Sequence, residues 1–348
     1  MRLTHTLLCV LTAFSFELGA ATPTPFHGHS FAPSPSSDMQ GKCTQKLQRR
    51  AWQNLSRAEK KAYLDAELCL MSLPTKTGLP AAVTRFDDLI KAHQMQAYWV
   101  HGDGWFLPFH RLLMSAHELL LRQECGYAGA QPYWEETVTV GKVSTCELLD
   151  PVYGFGGGGT GPGGCISDGP FKDYVLHTGP GEENTVQCIH RNVSDTNSWG
   201  SSQANVTECL QKPSFATAWP CLEKRPHWAG HNAIGGEVAN PISSPGDPLF
   251  YLHHTWLDKL WWNWQALDLP ARLEDIAGHT SSVKNPALPA DYSFVNATLD
   301  DVLDMYGVVA NATVRDVMDI RGERLCFEYV EYQPPAEENP KKTWWPWG

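Results

Sequence analysis

The sequence is poor in charge, especially positive charge, and has no long apolar run. Charged residues make up 19% of the 348 residues, which argues against a disordered or coiled-coil protein. Lys and Arg total 27 against 38 Asp and Glu, and with a formal net charge of −11 we expect no nucleic-acid partner. No segment reaches the ~20 apolar residues of a membrane-spanning helix, so we expect no membrane partner either.

The abundant residues and the N-terminus both indicate export. The chain has 14 Trp, 14 His and 10 Cys, a composition typical of a secreted protein that can bind metal. Arg2 precedes a short apolar run at residues 7–16, and the small residues Gly19–Ala21 then offer a cleavage site. We therefore predict a signal peptide over residues 1–21 and an extracellular protein.

Sequons and cysteines agree with an extracellular location. Five N-x-S/T sequons predict a glycosylated surface, at Asn54, Asn192, Asn205, Asn296 and Asn311. Cleavage would remove Cys9 and leave nine cysteines, an odd number. We expect most of them to form disulfide bonds, each contributing roughly 2–4 kcal/mol, and one thiol to stay unpaired. The pairing cannot be read from the sequence.

Four segments have the apolar periodicity of amphipathic helices, which predicts a mainly α fold with a four-helix bundle as its core. The first begins at Ser56, a predicted N-cap with Glu59 three residues later. The four segments cover residues 56–73, 86–97, 112–125 and 248–267.

A long irregular region separates the third and fourth helices. Residues 141–222 are rich in Gly, Pro and Cys, and we interpret them as an insertion whose cysteines hold irregular backbone against the bundle. The predicted organisation is a signal peptide (1–21), a flexible mature N-terminus (22–40), one folded domain (41–332) and a C-terminal tail (333–348).

Histidines concentrate on the predicted helices, at positions 93, 101, 110, 227, 231, 253 and 254. His227 and His231 are four residues apart, so on a helix both rings project from one face. The turn between His93 and His110 could bring those two rings together, with His101 in the loop. Three neutral imidazoles without a thiolate or carboxylate at comparable spacing suit copper or zinc, and two such triads favour a pair of redox metal ions.

Two segments, residues 86–134 and 227–265, resemble the two copper-binding regions of tyrosinases and catechol oxidases, the type-3 dicopper polyphenol oxidases, and most of all their short fungal members. The matching motifs are H-x7-H-x8-H-R with F-L-P-F-H-R, then H-x3-H, then D-P-L-F-Y-L-H-H-x3-D-K-L-W-W. The resemblance implies a four-helix bundle that holds a dinuclear copper site, with long disulfide-stapled loops. It implies two copper ions, one bound by His93, His101 and His110 and the other by His227, His231 and His254.

Helical periodicity does not decide between the adjacent His253 and His254, which lie 100° apart on a helix. The family pattern uses the second histidine, so we assign His254 as the ligand and His253 as a supporting or packing residue. Asp258 is one turn beyond His254, and we expect its carboxylate to orient the His254 ring.

Other residues near the motifs have weaker assignments. Asn232 could hydrogen-bond a water or a substrate hydroxyl. Glu223 stands where plant relatives carry a carboxylate that positions a water, although an exposed Glu without function is the simpler interpretation. We expect the rim that selects the substrate to include Trp228 and the segment Asn240-Pro241-Ile242.

The resemblance also assigns structural roles. Arg111 and Glu118 match a family pattern that we interpret as an ion network between helices. Phe327-Glu328-Tyr329 resembles a motif that closes the family's core domain, with Arg49 or Arg50 as its cation–π partner. His117 lies on the His110 face, where the family has no ligand, so we expect it to be structural.

The resemblance implies an enzyme whose partners are small phenols and O2, and we expect it to be secreted and monomeric. We expect it to oxidise o-diphenols to o-quinones while reducing O2 to water. Monophenol-hydroxylating relatives often carry Asn after the first histidine of the second site, whereas this chain has Trp228. A tyrosinase that also hydroxylates monophenols is thus one alternative. The other is a haemocyanin-like oxygen-binding protein, which needs a shielded copper site.

Overall fold

The computed structural model of the chain describes residues 43–335. The predicted signal peptide, the segment 22–40 and the tail beyond residue 335 lie outside the described residues. Between residues 43 and 335, no helix combines the length and the apolar character that crossing a membrane requires.

Helices dominate the described residues, and two of them begin with a capping box. Ser56 and Glu59 cap the first helix reciprocally, and Thr84 and Asp87 do the same for the second, so side chains satisfy the free N–H groups of the first turn. The helices are α1 (Arg57–Ser72), α2 (Arg85–Gln96), α3 (Phe106–Glu124), α4 (Gln203–Leu210), α5 (Phe215–Leu222), α6 (Trp228–Ile234) and α7 (Leu249–Ala266).

The four predicted helices correspond to α1, α2, α3 and α7. α3 packs along α7, and α1 packs against both α2 and α3. Trp256, Trp261 and Trp264 of α7 are fully buried in the core that these helices share. The mainly α fold with a helix bundle as its core is therefore confirmed.

The short helix α6 does not begin as a regular α-helix. α5 ends at Leu222, and a π-helical turn, Glu223–His227, leads directly into α6. Pro226 lies inside this turn and has no N–H to donate, which is compatible with a local departure from the α-helical ladder. Even so, the rings of His227 and His231 stay together, with centroids 4.4 Å apart.

Strands are short and join distant parts of the chain. β1 (Leu47–Arg49) pairs in parallel with β6 (Phe327–Tyr329). The disulfide bond between Cys43 and Cys326 closes the same junction, so the first and last described segments lie together. Two antiparallel pairs lie in the loops: β2 (Val175–Leu176) with β3 (Gln187–Cys188), and β4 (Val302–Leu303) with β5 (Ala312–Thr313).

The remaining cysteines hold the loops differently from our expectation. The bonds Cys165–Cys188 and Cys209–Cys221 both close loops within the insertion, so they do not tie it to the bundle. A third bond, Cys69–Cys125, joins the ends of α1 and α3. Cys146 is the unpaired cysteine of residues 43–335.

A buried ion pair links the insertion to the bundle instead. Arg191 donates to both carboxylate oxygens of Asp247, at 2.6 and 3.0 Å, and Asp247 lies two residues before the first residue of α7. The same guanidinium also donates to three carbonyls of the glycine-rich segment 155–157. Long-range charge pairing of this kind leaves no periodic signal in a sequence.

Candidate metal centre

Three histidines from α2, α3 and the turn between them form a first cluster. His93 and His110 are buried and His101 is half-buried, and each offers a ring nitrogen within 4.8 Å of the others. The Nε2 atoms of His93 and His110 lie 3.4 Å apart. α2 carries His93, α3 carries His110, and the turn between the two helices carries His101, as the spacing in the sequence predicts.

A second cluster contains four buried histidines: His227, His231, His253 and His254, also with nitrogens within 4.8 Å of one another. His227 ends the π-helical turn, His231 lies on α6, and the adjacent pair lies on α7. The Nε2 atoms of His231 and His254 are 3.1 Å apart. The two clusters touch, because the rings of His110 and His254 stack with centroids 4.2 Å apart.

Main-chain carbonyls fix the orientation of four of these rings through Nδ1. The pairs are His93 with Ile242 (2.8 Å), His101 with Ala97 (2.9 Å), His110 with Phe106 (2.7 Å), and His231 with Val238. A carbonyl can only accept, so each Nδ1 carries the proton and each Nε2 presents a lone pair. This is how proteins orient imidazoles that bind metals.

The donor set fits a bound metal ion. The Nε2 lone pairs of His93 and His110 face each other in a buried space. Two such lone pairs repel each other unless a cation accepts both. Both ring nitrogens of His227 lack a hydrogen-bond partner within residues 43–335, so a ligand position is open to them. Imidazole nitrogens without thiolates or carboxylates suit copper or zinc.

Burial keeps these imidazoles in the neutral form that metals bind. It lowers the pKa of His101 to about 4 and the pKa of the other five assigned rings well below the usual range, and neighbouring imidazoles lower most of them further. The five rings are those of His93, His110, His227, His231 and His254. At neutral pH no proton competes with a metal ion for their lone pairs.

The adjacent histidines of α7 have different partners. His253 Nδ1 lies 2.5 Å from Glu136 Oε1, and Ser201 donates to the other oxygen of Glu136 at 2.6 Å. Burial raises the pKa of Glu136 well above its usual range. Sequence reasoning missed Glu136, which is 117 residues from His253 and belongs to no motif that we used. His254, rather than His253, places its Nε2 against His231.

Our expectation for Asp258 is wrong. Its carboxylate does not orient His254, because it accepts from Arg111 Nε and from the Tyr329 hydroxyl, both at 2.5 Å. His254 Nδ1 has no hydrogen-bond partner among the described residues. A spacing of four places two residues on one helical face, but it does not reveal which neighbour competes for the carboxylate.

The two weaker assignments also change. Glu223, the first residue of the π-helical turn, is buried rather than exposed, and its Oε1 accepts from the N–H of Gly102 at 2.7 Å. Burial raises the pKa of Glu223 to about 7. Asn232, by contrast, is exposed, and its carboxamide nitrogen donates to the carbonyl of Trp228 one turn back.

The predicted rim residues do not share one environment. The Trp228 side chain is 53% exposed, beside the buried His227. Pro241 is exposed, whereas Asn240 and Ile242 are half-buried. Ile242 reaches the first cluster through its main chain, since its carbonyl accepts from His93.

The structural assignments agree with the contacts. Of the two candidate arginines, Arg49 is the partner of the closing motif, with its guanidinium carbon 3.5 Å from the Phe327 ring centroid. Arg49 also pairs with Glu118 at 2.7 Å. His117 stacks on Tyr251, with centroids 3.7 Å apart, and is buried in the core as a member of neither histidine cluster.

Comparisons with known proteins place this geometry in a family. Residues 83–267 match the family model described as the common central domain of tyrosinase. The tyrosinase-like protein phomQ1 of Diaporthe leptostromiformis is 32% identical, over 82% of this chain and 78% of the relative. N-acetyl-6-hydroxytryptophan oxidase ivoB of Emericella nidulans is 30% identical, over 81% and 91%.

A solved structure is similar as well. A polyphenol oxidase variant from Thermothelomyces thermophila superposes with a TM-score of 0.73 at 29% identity, covering 82% of this chain and 89% of that one. The family model spans both histidine clusters and the helices that carry them. The chain therefore belongs to the tyrosinase family of copper oxidases, and it is an oxidoreductase that uses O2.

Proposed function

We propose that this protein is a secreted copper polyphenol oxidase that oxidises o-diphenols to o-quinones and reduces O2 to water. His93, His101 and His110 would hold one copper ion, and His227, His231 and His254 the other. The observation that carries this proposal is the facing lone pairs of His93 and His110, fixed by two carbonyls at 2.8 and 2.7 Å. When bound, the copper pair supplies the electron exchange with O2.

The protein's own contribution is orientation and charge. Four of the six assigned rings are held by main-chain carbonyls, so little reorganisation accompanies metal binding. All six ligands are neutral, so no ligand carboxylate repels a phenol that loses its proton at the site. Glu223, buried beside the His101 turn, is the group that we propose to hold a water there.

Trp228 supports a preference for o-diphenols. An indole offers an N–H donor and no acceptor, so at this position it cannot accept a hydrogen bond from a water or from a phenol hydroxyl. An asparagine there, as in many monophenol-hydroxylating relatives, could accept one.

Two alternatives remain for experiment to separate. A tyrosinase that also hydroxylates monophenols is supported by relatives named tyrosinase. A haemocyanin-like carrier requires a shielded site, whereas Trp228 next to His227 is more than half exposed. The relative named as an N-acetyl-6-hydroxytryptophan oxidase supports adding a hydroxyindole to the substrates tested.

Export and domain limits belong to the same proposal. The four disulfide bonds support secretion, because such bonds persist in oxidising compartments. We propose residues 41–332 as the catalytic domain, preceded by a cleaved signal peptide, and a monomer as the working state.

Oxygen uptake by the copper-loaded protein tests the function. 4-Methylcatechol, 4-methylphenol and a 6-hydroxyindole are supplied in turn, with the His254→Ala variant as the blank. We expect uptake with the catechol and little with the monophenol. Equal uptake with both would make the enzyme a tyrosinase. Two bound copper ions with reversible O2 binding and no uptake with any substrate would instead indicate an oxygen carrier.

A further inference from the structure

One loop orients a histidine from each cluster. In the segment Gly235–Gly246, the carbonyl of Val238 accepts from His231 Nδ1, and the carbonyl of Ile242 accepts from His93 Nδ1. The two carbonyls are four residues apart, so the turn between them sets both ring orientations together. The loop lies outside all the helices that carry the assigned ligands.

Asn240 shapes this turn with its side chain. Its Oδ1 accepts from the main-chain N–H of Ile242 at 3.0 Å and of Ser243 at 3.3 Å, an Asx-turn arrangement. Its main chain is engaged too, donating to the Glu237 carbonyl at 3.0 Å and accepting from Ser244 N at 3.0 Å. The carboxamide oxygen therefore faces its own turn and not a substrate.

Neighbouring segments hold the turn in place from outside. Ser243 is fully buried, and its hydroxyl accepts from the N–H of Gly181 at 3.0 Å. The N–H of Glu237 donates to the carbonyl of His190 at 2.9 Å. Because Glu237 and Ser243 are held on either side, the backbone conformation between Val238 and Ile242 depends chiefly on the hydrogen bonds of the Asn240 side chain.

We propose that Asn240 is a positioning residue for both copper centres, because its side chain fixes the turn whose carbonyls orient His93 and His231. This inference rests on the proposed metal-binding function, and it replaces the rim role that the sequence suggested for Asn240. The rim role stays with Pro241, the exposed neighbour.

Removing the carboxamide should weaken copper binding at both centres. In Asn240→Ala, two main-chain N–H groups lose their acceptor, the turn relaxes, and the carbonyls of Val238 and Ile242 no longer hold their rings. Loss of a group that bonds a ligand ring directly typically lowers metal affinity about 10–100-fold, and because Asn240 acts through the carbonyls we expect the lower end of this range. Asn240→Asp keeps an oxygen at the Oδ1 position, so it should bind copper within a few-fold of the wild type.

The test is copper retention against a graded series of chelator concentrations, measured as copper per chain by elemental analysis. Wild type, Asn240→Ala, Asn240→Asp and Pro241→Ala are compared, and circular dichroism of the metal-free proteins checks folding. We expect Asn240→Ala to lose both copper ions at about tenfold lower chelator concentration, and the other two variants to follow the wild type. If Asn240→Ala does not fold, Asn240→Gln, which displaces the oxygen by one methylene, takes its place.

The outcomes separate this inference from the function on which it rests. A wild-type protein that binds no copper would overturn the proposed function itself. A wild type with two copper ions and an Asn240→Ala variant that retains them equally would overturn only the positioning role, as would loss from one centre alone. A changed KM for bulky catechols at unchanged copper retention would overturn the positioning role and support the rim role that the sequence suggested for Asn240.

Discussion

Arg111 Nε donates to Asp258 Oδ1 across 2.5 Å and joins α3 to α7 inside the core. The other carboxylate oxygen accepts from Tyr329 and lies 3.7 Å from Arg49, whose closer partner is Glu118, so Asp258 is the counter-charge of Arg111 above all. Arg111 follows His110 directly, and Asp258 lies one turn after His254. This pair therefore sets the spacing of the two helices that bring the clusters into contact.

Asp258→Asn should destabilise the fold strongly. The substitution leaves the buried guanidinium of Arg111 without its counter-charge, which costs about 3–5 kcal/mol in the free energy of unfolding. Asp65→Asn is the control, because its partner Lys61 is 66% exposed and an exposed pair contributes about 0–1 kcal/mol. Guanidinium chloride unfolding of the metal-free proteins measures both. Equal effects in the two variants would show that the buried network does not stabilise the helix pair.

Copper stoichiometry should distinguish the adjacent histidines of α7. His254 places its Nε2 3.1 Å from that of His231, whereas His253 is engaged by Glu136. We expect His254→Ala to lose the second copper ion and keep the first, and His253→Asn, which can still bond Glu136, to keep both. Elemental analysis of dialysed protein measures the content. Copper loss in the His253 variant with full retention in the His254 variant would reverse the ligand assignment.

Glu237 should make stability depend on pH. Its carboxylate is fully buried. Burial raises the pKa of Glu237 from 4.5 to about 7, and the charge of Asp247 adds to this, while the nearby Ser243 hydroxyl opposes it. His190 faces the same carboxylate at 3.7 Å.

The direction of the pH dependence follows from whether the folded or the unfolded chain holds the proton of Glu237. Between pH 4.5 and about 7 the unfolded chain has lost this proton and the folded chain keeps it, so rising pH favours unfolding. The free energy of unfolding should fall by up to about 3 kcal/mol across this window, and Glu237→Gln should remove the fall. Urea unfolding of both metal-free proteins at several pH values measures the difference. If the free energy of unfolding varied with pH in the same way for both proteins, the pKa of Glu237 would be the same in the folded and unfolded chains.

Local sequence signals predicted the parts of the structure that depend on nearby residues. The capping box at Ser56 and the apolar stripe of α7 each involve residues within a few turns of one another, so helix geometry alone is enough to predict them. The two histidine clusters could be predicted because their ligands lie in short motifs with a fixed spacing, at positions 93, 101 and 110 and at 227, 231 and 254.

Contacts between distant segments could not be predicted in this way. Asp258 has the right spacing to reach His254, but its carboxylate accepts instead from Arg111, a charged donor on another helix. Glu223 was expected to be exposed, whereas it lies in a π-helical turn and is buried. Glu136 reaches His253 across the whole insertion, and no periodic pattern encodes that approach.

Trp228 offers the most direct test of substrate choice. The side chain is 53% exposed, so its replacement should cost little stability, and an effect on activity can be attributed to the site. Asparagine at this position supplies a hydrogen-bond acceptor that indole lacks. A net hydrogen bond is worth about 0.5–1.5 kcal/mol, so the ratio of kcat/KM for 4-methylphenol to that for 4-methylcatechol should rise up to about tenfold in Trp228→Asn.

Trp199→Asn is the matched control, because Trp199 is also an exposed tryptophan, at 61%, and is not adjacent in sequence to an assigned ligand. Its substitution should leave the ratio unchanged, which separates the loss of an exposed indole in general from the loss of the indole beside His227. Oxygen uptake with both substrates, at matched copper content, measures the ratio. An unchanged ratio in the Trp228 variant would mean that the residue after His227 does not restrict monophenols, and the restriction would then have to come from elsewhere on the rim, with Pro241 as the next residue to replace.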